Sequence, residues 1–171
     1  MPPTNQSRRR IEKQLEKRHK EFVNGLKMGE FVGHFSLEWR GPESFTYHPD
    51  PDDPFQYIRN LGDGNTEIIQ PGPMITDGGS IPIIAQVLTG RTPWEYGPAY
   101  MIHDWEFNRH DNDPDYHKSF EQVNLTLAEA IWTLMNNGYL KYKKPKKNYR
   151  NVHTIYSGVM SPIARVIWDE K

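Results

Sequence analysis

The sequence predicts an α+β fold in which a small antiparallel sheet packs against a helical pair, with a basic N-terminal helix and a C-terminal helix. Residues 31–70 alternate short apolar runs with turn signals, as antiparallel strands do. Residues 98–134 carry two apolar stripes at helical spacing, which predict the helical pair. Residues 8–27 and 152–168 have similar stripes and supply the flanking helices.

Length and composition favour one globular domain with an appended arm. The chain has 171 residues, of which 36% are hydrophobic and 25% charged, and its net charge is −1. We therefore divide it into a basic arm and helix (residues 1–29) and a single α+β domain (residues 30–171). Bulk charge does not favour nucleic-acid binding. Because the chain lacks cysteine, disulfides, thiolate metal sites and cysteine nucleophiles are excluded.

The N-terminal helix is predicted to begin at Arg8 and to stop between Gly25 and Gly29. Its apolar stripe of Ile11, Leu15, Phe22 and Leu26 is thin, and the surrounding positions are strongly basic. The basic residues are Arg8, Arg9, Arg10, Lys13, Lys17, Arg18 and Lys20. Such a helix is either a solvated, peripheral surface element or an arm that lies on a partner protein, a membrane surface or nucleic acid.

The sheet region reads as strands joined by short turns. The alternation predicts one buried side, formed by Phe31, Phe35, Leu37 and Trp39. Turn signals follow at residues 41–42, 48–54 and 61–65. The last strand would deliver Asp77 to one end of the sheet.

The helical pair carries the candidate histidines. The first helix is entered at Pro98 and bears His103 and Asp104. The second is predicted to start with Asp113 as N-cap and Pro114 at its first position, which would put His117 on its surface. Two imidazoles on successive helices suggest a site between those helices. The second helix should end at Asn137-Gly138, and the C-terminal helix is expected to be interrupted at Pro162.

Acidic side chains, an imidazole and a glycine pair converge on one candidate site. Asp77 precedes Gly78-Gly79 at the end of the predicted sheet, and His103-Asp104 follows on the helix. This arrangement favours metal binding or general-base chemistry, with catalytic His103, Asp104 and Asp77. The structural alternative is that His103 is a satisfied interior residue and that Asp77 caps its own turn.

Two stretches together carry a resemblance to a known family. Thr76-Asp77-Gly78-Gly79-Ser80-Ile81-Pro82 and His103-Asp104-Trp105-Glu106-Phe107 resemble a phage and prophage family, the domain-of-unknown-function family thirteen fifty-three, over residues 68–134. The matching residues are Ser80, Ile81, Pro82, His103, Asp104, Trp105, Phe107 and Phe120, whereas His117 stands where that family has an aspartate. The resemblance implies a phage lineage, and that family has no settled activity.

The His-Asp helix is also similar to the active-site helix of phospholipases A2, as an analogy of chemistry. In those enzymes the aspartate helps to bind calcium and a glycine-rich loop supplies carbonyl ligands. His103 and Asp104 fit the helix and Gly78-Gly79 fits the loop, but His117 does not fit the carboxylate that orients the histidine.

Two functions remain open at this point. The first is a metal-assisted, hydrolase-like activity on an ester or phosphoester, with Asp77, Asp104 and His117 as metal ligands. The cation would be calcium or magnesium, or zinc or manganese if both histidines bind. The second is a non-enzymatic virion or assembly component whose arm docks on other phage proteins, on a second copy or, less in keeping with the charge, on nucleic acid. Both place the protein in the host cytoplasm, with incorporation in the virion as a further expectation.

Overall fold

The computed structural model describes residues 5–42, 44–76, 93–140 and 144–170. The strands are β1 (Glu30–Val32), β2 (Leu37–Gly41), β3 (Ser44–Tyr47), β4 (Gln56–Gly62), β5 (Asn65–Ile69) and β6 (Met74–Thr76). The helices are α1 (Asn5–Asn24), α2 (Gly97–Asn112), α3 (Phe120–Asn137), α4 (Tyr149–Val159) and α5 (Pro162–Asp169), and a 3₁₀ turn (Pro93–Tyr96) precedes α2. The α+β class is confirmed.

The strands form two antiparallel three-stranded sheets, ordered β1-β4-β5 and β2-β3-β6. In the first sheet, Asp63 and Gly64 join β4 to β5 with φ angles of 53° and 78°. Two successive positive φ angles match the right-handed twist of a tight hairpin, which explains the Asp-Gly pair. In the second sheet, β6 ends at Thr76, paired with Phe45.

The prediction of one buried side through Trp39 is wrong. Phe31 lies in β1 and is buried, whereas Trp39 lies in β2 and is 68% exposed. Gly33, with a φ angle of 81°, separates the two strands, so the alternation does not continue through one element. Glu38, Trp39 and Arg40 are all exposed in β2, so alternation along this strand does not separate a buried side from an open one.

Helix α3 lies at the centre of the core, packed against α2, α4, β1 and β4. Its predicted start at Asp113-Pro114 is wrong. The helix begins after Ser119, whose hydroxyl accepts from the backbone of Gln122, while the Gln122 side chain accepts from the backbone of Ser119. This reciprocal cap satisfies two amides at once. The Asp113 carboxylate instead accepts from Arg109 at 2.7 Å and from the Asp115 amide at 3.0 Å. The predicted end at Asn137-Gly138 is confirmed.

The terminal helices pack on the outside of this core. The C-terminal half of α1 lies against α4, where the ring of Phe22 stacks on His153 at 4.5 Å and Val23 is buried. Ile11, in the other half of α1, is 52% exposed. The expected interruption at Pro162 is confirmed, because α4 ends before it and α5 starts there. None of the described helices combines the length and the apolar character needed to cross a membrane.

Candidate functional site

A cavity of about 450 Å³ lies between the end of β6, one face of α2, and helices α4 and α5. Helix α2 turns His103, Asp104 and Phe107 towards it, and Thr76 closes it from the sheet. The cavity reaches solvent at Asp111, whose side chain is 59% exposed. The sequence therefore brings His103 and Asp104 to one solvent-connected cavity.

His103 is held deep in the wall of this cavity. The residue is only 5% exposed, and its ring lies 4.7 Å from that of Phe107. Burial lowers the pKa of His103 to about 4, because the imidazolium would lose its hydration; the hydrogen bond to Asn124 opposes that shift only in part. The ring is therefore neutral at pH 7.

Asn124 fixes the tautomer of this neutral ring. Nε2 of His103 lies 2.8 Å from Oδ1 of Asn124, inside the pair formed by α2 and α3. A carbonyl oxygen only accepts, so Nε2 carries the proton and donates it. The lone pair then resides on Nδ1. A neutral imidazole with one nitrogen tied to a side-chain oxygen is the arrangement in which the other nitrogen accepts a proton.

Asp104 is tied to the sheet. Oγ1 of Thr76 donates to Oδ2 of Asp104 at 2.6 Å, and Thr76 is itself 5% exposed. This bond joins the last described residue of β6 to the first half of α2. It fixes the carboxylate beside His103 on the cavity wall, as charge-assisted hydrogen bonds do.

Asp77 and His117 are the other two predicted ligands. Asp77 lies outside the described residues, as do Gly78 and Gly79. His117 was predicted on a helix, and this placement is wrong: it lies exposed in the connection between α2 and α3 because the helix starts only at Phe120. His117 is not among the residues that line the cavity. Within residues 5–42, 44–76, 93–140 and 144–170, no three His, Asp or Glu side chains are grouped so as to hold a metal ion.

Sequence reasoning missed the role of Asn124. It did not identify this residue as the partner of His103. A signal was available, because Asn124 sits between apolar positions of a helix whose centre is buried, and it is itself fully buried. A buried amide in such a stripe needs a polar partner. On the neighbouring helix α2, His103 lies within hydrogen-bond distance of this amide.

A second polar cluster lies in the core beside α2. Glu106 is 1% exposed and pairs with Lys118 at 2.9 Å, and Lys118 also contacts Glu67. The hydroxyl of Tyr116 donates to Glu106. Burial and the neighbouring carboxylate both raise the pKa of Tyr116, so it stays a donor at every physiological pH. This cluster ties the connection between α2 and α3 to the sheet.

No protein-family model, curated protein or solved structure matches this chain.

Proposed function

We propose that this chain is a phage-derived, hydrolase-like protein in which His103 acts as a general base. One observation carries the proposal: a neutral imidazole, fixed by Asn124, shares a solvent-connected cavity with Asp104. Helix-borne acids and bases in clefts with shifted pKa values are common at active sites. The pairing of His103 with a side chain on another helix supports a defined ring orientation.

The reaction class follows from the groups present. Nδ1 of His103 takes a proton from water while the water oxygen bonds to the carbonyl carbon of an ester. The carbonyl electron pair moves to its oxygen, then re-forms the double bond as the alkoxide leaves. The leaving alkoxide takes the proton from the His103 imidazolium, which restores the neutral ring.

These steps use only His103, water and the ester. Of the three predicted ligands, only Asp104 lies at the cavity among the described residues. The described residues therefore do not fit a metal centre by themselves. Thermal melting with calcium, magnesium, manganese or zinc addresses this point directly, because a ligand that binds only the folded chain raises the melting temperature.

The decisive experiment compares wild type, His103→Ala and His48→Ala on neutral nitrophenyl esters and on nitrophenyl phosphate. His48 is the matched control because it is exposed on the surface. We expect His103→Ala to lose at least about a hundredfold in kcat/KM and His48→Ala to match wild type. In wild type, kcat/KM should fall as pH drops through about 4, the pKa of His103. Equal activity in the two variants would refute a basic role for His103.

A second candidate function, an assembly component, rests on α1. Its N-terminal half exposes Ile11 and Leu15 at 52% and 47% beside four basic residues, Arg8, Arg9, Arg10 and Lys13. A partner with an apolar groove bordered by acidic residues would suit this helix. Analytical ultracentrifugation of wild type and Ile11→Asp tests self-association through the arm. A concentration-independent monomer in both would remove that form of the proposal.

A further inference from the structure

The wall of the cavity beside His103 combines polar and apolar side chains. The polar groups belong to Thr76, His103, Asp104, Asn108 and Asp111. The apolar side chains are Met74, Ile75, Phe107, Val159, Ala164 and Ile167. A volume of about 450 Å³ falls in the range of small-molecule sites.

Two of the apolar residues also form part of the mouth of the cavity. Ile75, on β6, is 74% exposed, and Ile167, on α5, is 59% exposed. When a ligand covers large apolar side chains that were exposed to water, the free energy of the complex is lowered. The apolar surface thus continues from the wall of the cavity out to its rim.

Charge narrows the class of ligand further. Asp104 and Asp111 are the charged side chains among the described lining residues, and neither lysine nor arginine is among them. Anion sites use arginine, lysine or clustered backbone amides to offset the ligand charge. Among the described lining residues, no cationic side chain offsets the charge of a phosphate or a free carboxylate.

We infer that the cavity takes a neutral ester with an apolar acyl chain, with the chain along Phe107 and Ile167 and the ester group at His103. This assignment rests on the proposed hydrolase function and adds the substrate class. It selects uncharged acyl esters over the phosphoesters that the same general-base chemistry would also serve.

Chain length is the first test. Nitrophenyl acetate, butyrate and octanoate differ only in their acyl methylenes, and nitrophenyl phosphate supplies the anionic comparison. Burying one methylene is worth a factor of roughly three to four. We expect kcat/KM to rise with chain length by up to that factor per methylene and to be lowest for the phosphate. Equal values for the three esters, or preference for the phosphate, would overturn the assignment while leaving hydrolysis intact.

Binding without chemistry separates the two claims. The neutral ketone 2-decanone has no bond to hydrolyse, and its binding can be followed by titration calorimetry. We expect saturable binding in wild type, because the apolar contacts along the chain do not require a reaction. If the ketone binds but no ester is cleaved, the hydrolase function fails and the apolar site stands. If the ketone does not bind at all, the substrate class is wrong whatever the activity.

Paired variants on α5 locate the chain. Ile167→Asp places a charge at the rim, whereas Val166→Asp changes the neighbouring residue, which is 54% exposed and does not line the cavity. Since both positions are open to water, both variants should fold. We expect Ile167→Asp to weaken 2-decanone binding at least tenfold and Val166→Asp to match wild type. Equal affinities in the two variants would place the chain elsewhere and overturn the inference.

Discussion

The burial of His103 makes a specific prediction about stability in acid. In the unfolded chain its imidazole takes up a proton near the ordinary pKa of 6.5, whereas in the native state burial lowers the pKa to about 4. Between these values the unfolded state binds more protons than the folded state. The free energy of unfolding must therefore fall as pH drops through this window.

From these two pKa values, linkage predicts that His103 alone lowers the free energy of unfolding by roughly 2 kcal/mol when pH falls from 7 to 5. That is a large part of the stability of an ordinary domain. His19 and His153, whose Nδ1 atoms lie 2.9 Å apart between α1 and α4, also have pKa values lowered mainly by burial and change stability in the same direction. Their contribution is present in wild type and in any His103 variant.

Urea unfolding of wild type and His103→Gln at pH 7, 6 and 5 isolates the contribution of His103. Glutamine does not titrate. Across this pH range the free energy of unfolding should therefore fall by roughly 2 kcal/mol less in the variant than in wild type. The constant effect of the substitution on packing cancels, because only the pH dependence is compared. His48→Gln, an exposed site, should behave as wild type. Parallel pH curves for wild type and His103→Gln would refute the view that His103 is buried and neutral.

Two further predictions concern the rest of the fold. Lys118→Met should lower the free energy of urea unfolding by roughly 3 kcal/mol, because buried Glu106 loses its cation. Lys17→Met serves as the control, since the exposed ion pair of Lys17 contributes less than about 1 kcal/mol. A loss for Lys118→Met no larger than for Lys17→Met would contradict this. Removal of residues 1–15 should leave the melting temperature almost unchanged, because Ile11 is exposed; a marked fall would reveal a packing role for that half of α1.

Local signals predicted most of the elements correctly. The Asp63-Gly64 hairpin follows from backbone geometry that few other dipeptides adopt. The break at Pro162 follows from a residue that cannot continue a helix. His103 and Asp104 were predicted to lie together near the end of the sheet, and the bond from Thr76 to Asp104 puts both there. The third member of that predicted group, Asp77, lies outside the described residues and stays a prediction.

The errors arose where two local signals competed or where tertiary packing decided. Asp113-Pro114 and Ser119 with Gln122 are both good helix starts, and only the second is used. Asp113 was already engaged by Arg109, a partner in the preceding helix that cap rules do not consider. Trp39 illustrates the other case, since strand alternation predicts sides but not whether tertiary packing covers a side. His117 was misplaced as a consequence of the first error.

The pairing of His103 with Asn124 is a poor choice if stability alone is considered. Two apolar side chains of similar volume would fill the space between α2 and α3 without burying polar atoms. Asn124 is fully buried, and its Nδ2 has no hydrogen-bond partner among the described residues, which adds a desolvation cost. His103 adds a loss of stability in acid. Sites where a chain keeps such costs are more often functional than structural. Because the same ring lines a cavity that reaches solvent, the general-base role that we propose for His103 would account for this cost.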